Sequence, residues 1–135
     1  MFNQLFNLFN SNTRKKPLED FTTEIFAGVL RSHSDILVRF CNEILKMQGD
    51  KFWVDTQVYY PTLDAETMNC FVDLVIESSE EICFIENKVH SSEGFEQLER
   101  YASVLDTFGE KTTYLKYCTK HHDPKTDISI QYGVK

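Results

Sequence analysis

The stretch CFVDLVIESSEEICFIENKV, Cys70 to Val89, decides the fold. Its two halves are rich in Val, Ile, Phe and Cys, and the polar Ser78-Ser79-Glu80-Glu81 between them reads as the turn of an antiparallel hairpin. Centring that turn between Ser79 and Glu80 sets Ile82 opposite Glu77 and carries the ladder back until Glu86 faces Asp73. Directly opposed side chains stand about 4.5 to 5.5 Å apart at Cβ, and like charges there are destabilising. At an effective dielectric of about 20 the repulsion is about 3 kcal/mol, which a shared divalent cation would turn into attraction. Alternation along the strand points Glu86 and Lys88 one way and Ile85, Asn87 and Val89 the other. Two carboxylates and one ammonium thus converge. A solvated strand face also carries Glu and Lys, but Ile82 and Phe84 share this face, so its charged end borders a buried core.

The remaining elements assemble around this ribbon. Pro17 opens a helix to about Arg31 with Leu18, Phe21, Ile25, Val29 and Leu30 as its apolar stripe and Glu19, Asp20, Thr23 and Glu24 off it. Ser32 and Asp35 stand at capping-box spacing before a second amphipathic helix, which carries Ile36, Leu37, Phe40, Cys41, Ile44 and Leu45 and ends at Gly49. Lys51 to Tyr60 alternates as a strand with Val54, Thr56, Val58 and Tyr60 on one face, closed by Pro61. From Ser92 to about Asp106 the helical period returns through Phe95, Leu98, Ala102 and Leu105, with Ser91 or Ser92 as cap, and Thr112 to Cys118 reads as a strand. The third strand, this helix and that strand form a right-handed crossover. The expected class is α/β (α+β), ordered α, α, β, β, β, α, β, with a mixed sheet flanked by helices. Residues 1–16 give an amphipathic N-terminal helix, with Phe2, Leu5, Phe6 and Phe9 as its stripe, and a basic linker; a domain occupies 17–135. Ile128 to Val134 alternates as a last strand, and the abrupt end at Lys135 suggests a fragment of a longer chain.

Composition bounds the function. At 135 residues, 41% hydrophobic and 26% charged, the chain suits one soluble domain that buries roughly two-thirds of its unfolded surface. It lacks both an apolar run of spanning length and a leader pattern, which predicts a cytosolic protein with no membrane partner. Cys41, Cys70, Cys83 and Cys118 are widely spaced in apolar segments and read as buried free thiols; the adjacent His121 and His122 read as loop residues. The net charge of -7 arises between residues 51 and 100, where eleven acidic residues face three basic ones. Such a surface opposes nonspecific nucleic-acid binding, which depends on Lys and Arg, but it suits a carboxylate-bound Mg²⁺ that presents positive charge to a phosphate. No Gly-rich phosphate loop or small-molecule cofactor motif is present.

From Pro17 to Cys118 the pattern resembles the PD-(D/E)XK nuclease superfamily, whose core is a helix, a three-stranded meander, a helix and a further strand. Asp73 matches the acidic residue of the second strand, and Glu86-Asn87-Lys88 matches the (D/E)-x-K of the third. Val72 stands where the proline of the family name would be. Glu19 to Thr23 resembles a Glu-Asn-x-x-Thr helix motif with Asp20 for Asn, and Gln97 to Tyr101 resembles the Q-x-x-x-Y that follows the lysine in several branches.

The resemblance implies a Mg²⁺-dependent nuclease, with Mn²⁺ as substitute, acting most naturally on DNA in defence, restriction or repair, and it leaves a homodimer open. Asp73, Glu86 and the carbonyl of Asn87 would hold the metal with help from Glu19, although Glu24 is an alternative for that place. Lys88 would orient or deprotonate water, and Gln97 and Tyr101 would reach the site or merely anchor their helix. Competing readings are a catalytically idle nuclease-like module that binds protein or nucleic acid, and a plain α/β interaction domain with solvated strand ends.

Overall fold

In the computed structural model, residues 17–62, 70–88 and 95–119 are described. The N-terminal stripe of Phe2 to Phe9, the caps Ser91 and Ser92, the His121-His122 pair and the strand expected from Ile128 lie outside them. Helix α1 (Pro17–Ser32) leads into α2 (Ser34–Arg39), which continues as a π-helical segment, Phe40–Leu45. Strands β1 (Trp53–Tyr60), β2 (Cys70–Glu77) and β3 (Glu81–Lys88) follow, then α3 (Phe95–Asp106) and β4 (Thr112–Thr119). The sheet order is β1-β2-β3-β4, with the first two pairings antiparallel and β3–β4 parallel, as a crossover through α3 requires. This is the α+β arrangement expected from the sequence: a mixed four-stranded sheet with helices on both faces, in a restriction-endonuclease-like fold.

The turn fixes the register as its polar residues predicted. Ser78 Oγ accepts the backbone N–H groups of Glu80 at 3.3 Å and Glu81 at 3.0 Å, and Ser78 N–H closes the loop on the Glu81 carbonyl at 2.8 Å. Glu77 then pairs with Ile82, and the ladder runs to Leu74 opposite Ile85. Glu81, which the sequence presents as one more solvated turn residue, is buried instead. Its carboxylate accepts Gln48 N–H at 2.6 Å and the Tyr114 hydroxyl at 2.9 Å, tying the end of the helical pair and β4 to the start of β3.

One core cluster fills the face under α1 and α2, through Ala27, Leu30, Leu37, Cys41, Leu74 and Ile85; the other lies under α3, through Val72, Phe84, Leu98, Tyr101, Ala102 and Leu105. The face that α1 presents to the sheet departs from the expected stripe. Ile25 and Val29 are each 38% exposed, whereas Glu19, Thr23 and Glu24 are buried with Ala27 and Leu30. The reason lies in the polar end of β3, where Asn87 donates to Thr23 of this helix and draws its polar flank inward. On α2 and the π-helical segment only Leu37, Cys41 and Leu45 are buried, while Ile36 and Ile44 face outward. The expected cap at Ser32 is also replaced: Ser32 ends α1 with its hydroxyl donating to the Gly28 carbonyl at 2.7 Å, and His33 precedes α2 without a side-chain cap. The four cysteines are free, but Cys118 is exposed because edge strand β4 turns it away from the packed side chains of Leu115 and Tyr117.

Strand β1 alternates in burial as expected, yet its apolar residues do not share one face. Val54 joins the cluster under α1 with Leu74 and Ile76, whereas Val58 and Tyr60 pack under α3 with Val72 and Cys70. In a regular strand all even-numbered residues would share a face. Both strands therefore turn over between Thr56 and Val58 and between Val72 and Leu74. The residues at the crossing are Gln57, whose φ of 51° is left-handed, and Asp73 across from it; the ladder pairs their neighbours on either side but not these two.

Candidate active site

Because β2 turns over at Asp73, it also leaves β3 there. The β2–β3 ladder stops at Leu74 and Ile85, one pair short of the Asp73–Glu86 pairing expected from the sequence, and the amide of Asn87 instead donates to Asp73 Oδ2 at 3.2 Å. The carboxylate takes the place of a ladder carbonyl and is held beside Glu86. On β2 the parted strand leaves the Phe71 carbonyl, which the Tyr101 hydroxyl of α3 reaches at 2.5 Å. The same hydroxyl is 2.6 Å from Glu86 Oε2 and accepts from Gln97 Nε2 at 3.2 Å. A phenol has one proton, so Tyr101 serves both acceptors fully only when Glu86 itself is protonated.

Alternation along β3 works as the sequence predicted. Glu86 points to α3, while Asn87 points to α1, where its Nδ2 donates to Thr23 Oγ1 at 3.2 Å. Lys88 returns to the Glu86 side, with Nζ 3.1 Å from Glu86 Oε1 and a side chain only 5% exposed. The charge of Glu19 also acts on Lys88, and both Glu19 and Glu24 of α1 are buried.

Glu86 is 0% exposed. Burial is the main reason that its carboxyl is pushed up to about 7; the Asp73 charge adds to the effect, while Tyr101 and Lys88 oppose it. Burial alone would lower the Lys88 ammonium, but Glu86, Glu19 and Asp73 together hold it above the ordinary lysine range. Burial and then Glu86 raise the Tyr101 phenol, so it remains a donor. Among the described residues, Glu86 Oε1 is the one buried side-chain oxygen or nitrogen without an aligned hydrogen-bond donor. Lys88 Nζ stands 3.1 Å from it as its ion-pair partner.

That orphaned oxygen, next to a second carboxylate, is what a divalent cation would complete. Among the described residues no group of three or more His, Cys, Asp or Glu side chains gathers at ligand spacing. Two carboxylates suit Mg²⁺, which is commonly held by one or two of them and keeps several waters. Of the residues singled out in the sequence, Asp73, Glu86, Asn87, Lys88, Gln97 and Tyr101 lie together in the structure, and the charge of Glu19 acts on Lys88. The sequence did not reveal Thr23 as the partner of Asn87, although Thr23 is the threonine of the helix motif, nor the Phe71 carbonyl, which no side-chain pattern marks.

No curated protein matches the chain. Among solved structures it is similar to a crystallised protein of unknown function, AF1548, at 19% identity and a TM-score of 0.40, over 76% of this chain and 56% of that one. The chain thus spans little more than half of that protein's length. A sequence model of the PD-(D/E)XK nuclease superfamily matches residues 36–122, well over half of the chain and inclusive of Asp73, Glu86, Lys88, Gln97 and Tyr101. With the fold in agreement, the chain belongs to the PD-(D/E)XK nuclease superfamily.

Proposed function

We propose that this chain is a Mg²⁺-dependent nuclease, with Mn²⁺ as substitute, that hydrolyses phosphodiester bonds in DNA, in a role such as defence, restriction or repair. The observation that carries the reading is Glu86: a fully buried carboxylate with one oxygen unsatisfied, beside Asp73 and Lys88. A buried charge left in that state lowers stability, and a bound cation is the simplest compensation.

Asp73, Glu86 and the Asn87 carbonyl would hold the metal, with Glu19 contributing directly or through a water. When bound, such an ion acidifies a coordinated water and offsets charge on phosphate oxygens. Lys88 stays protonated in this environment, which suits it to orient the attacking water and to face the negative charge that grows on the phosphorus centre. Tyr101 and Gln97 hold Glu86 from the α3 side, so they act as positioning residues. Thr23 fixes the Asn87 side chain and with it the strand that carries the carbonyl. The convergence of Asp73, Glu86 and Lys88 is what an idle nuclease-like module would have no need to keep, and it weighs against that alternative.

The test is cleavage of supercoiled plasmid, linear duplex, single-stranded DNA and RNA in Mg²⁺ or Mn²⁺, beside Glu86→Ala and Lys88→Ala. Metal-dependent cleavage of DNA by the parent, lost by at least about a hundredfold in both variants, is the expected result. Variants that cut as well as the parent would show that the activity belongs to a contaminant.

A further inference from the structure

We infer that Gln57, which touches no expected substrate group, is a positioning residue: its left-handed backbone turns the β1–β2 ribbon over and thereby sets the Asp73 carboxylate beside Glu86. The proposal rests on the metal-site reading above for its consequence, but not for its geometry. Three observations meet at this position. Gln57 has a φ of 51° inside a strand, a conformation that residues other than Gly, Asn and Asp seldom adopt. The β1–β2 pairing skips Gln57 and Asp73 while keeping Thr56 with Leu74 and Val58 with Val72. The apolar residues change clusters at that same crossing, on both strands at once.

The consequence for the site is geometric. Had β1 and β2 continued as flat strands, β2 would remain in the β3 ladder, and Asn87 N–H would be committed to a backbone carbonyl. The crossing takes β2 out of that ladder at Asp73, so that Asn87 N–H donates to the carboxylate instead and the Phe71 carbonyl becomes available to Tyr101. Local reversals of this kind re-aim side chains beside functional sites and persist only when the surroundings over-determine them. Here the two core clusters, one on each side of the crossing, do so.

The test compares Gln57→Gly, which adopts the left-handed conformation freely, with Gln57→Val, whose β-branched side chain resists it. In metal-free protein, the exchange rate of the Asn87 amide is measured against that of Phe84 in the intact ladder; Mg²⁺ affinity is measured by calorimetry. Val should speed Asn87 exchange relative to Phe84 and weaken Mg²⁺ binding, each by a few-fold or more, because a β-branched side chain is strained beyond Gln in the left-handed region. Gly should leave both within about twofold of the parent. A Val variant with unchanged relative exchange at Asn87 overturns the proposal, and so does a Gly variant that behaves like Val, since the side chain and not the backbone would then be responsible. A parent that binds no Mg²⁺ overturns the metal reading instead, and the exchange comparison still decides the role of Gln57.

Discussion

Replacing Glu86 by Gln should stabilise the metal-free protein above neutral pH, which is the reverse of what removing a buried ion-pair partner usually does. The folded state holds this carboxyl at about 7 against an ordinary value of 4.5, chiefly because it is buried. A raised carboxyl means that the folded chain binds the proton more tightly than the unfolded chain. Its contribution therefore favours folding at low pH, diminishes from about pH 4.5 to 7, and stays unfavourable above. The difference in pKa corresponds to about 3 kcal/mol between the two ends of that window. Gln mimics the protonated form at every pH, keeps the volume, and can still meet Tyr101. In EDTA, urea unfolding at pH 8 should show Glu86→Gln more stable than the parent by up to about 3 kcal/mol, and at pH 4.5 the two should nearly coincide. Mg²⁺ at about a hundred times the parent's dissociation constant should then raise the parent by about 2.7 kcal/mol and the Gln variant, which binds at least about tenfold more weakly, by no more than about 1.4 kcal/mol. A Gln variant less stable than the parent at pH 8 would instead show that the Lys88 and Tyr101 contacts outweigh the cost of burying the charge.

Other substitutions separate the site from the scaffold. Tyr101→Phe removes the hydroxyl that serves Phe71 and Glu86, and should lower stability by about 1–2 kcal/mol while moving Glu86 titration, followed by carboxyl NMR, to still higher pH. Glu81→Ala strips partners from Gln48 N–H and the Tyr114 hydroxyl, and should cost about 3 kcal/mol in denaturant unfolding with no change in Mg²⁺ affinity of the folded protein. A thiol reagent should modify Cys118 quickly in native protein and leave Cys41, Cys70 and Cys83 untouched, since burial pushes Cys41 up to about 12 and Cys70 up to about 11, and hides Cys83 altogether.

The hairpin was legible because its turn is short and polar and both strands are apolar on both faces; once Ser78 to Glu81 is read as the loop, the register has no freedom left. Glu86 and Lys88 followed from strand alternation, and Asn87 from the same rule with the opposite sign. The orientation of α1 was not legible, because apolar periodicity points to the Ile25–Val29 side, while the helix actually turns Glu19 and Thr23 toward polar groups on a strand more than sixty residues away. Glu81 shows the same limit: a turn glutamate looks solvated until the folded chain brings Gln48 and Tyr114 to it. The crossing at Gln57 and Asp73 leaves no trace in hydrophobic alternation, which continues through it unchanged, and only the packing on the two faces of the sheet exposes it.

On the proposed reading, Asp73 and Glu86 share one divalent cation. Calorimetric titration of Mg²⁺ into the parent, Asp73→Asn and Glu86→Gln measures this most directly. Saturable binding is expected in the parent and should fall by about tenfold or more in each single variant, since each removes one of two carboxylate ligands. Binding that survives both substitutions undiminished would place the ion elsewhere and rule out a shared site.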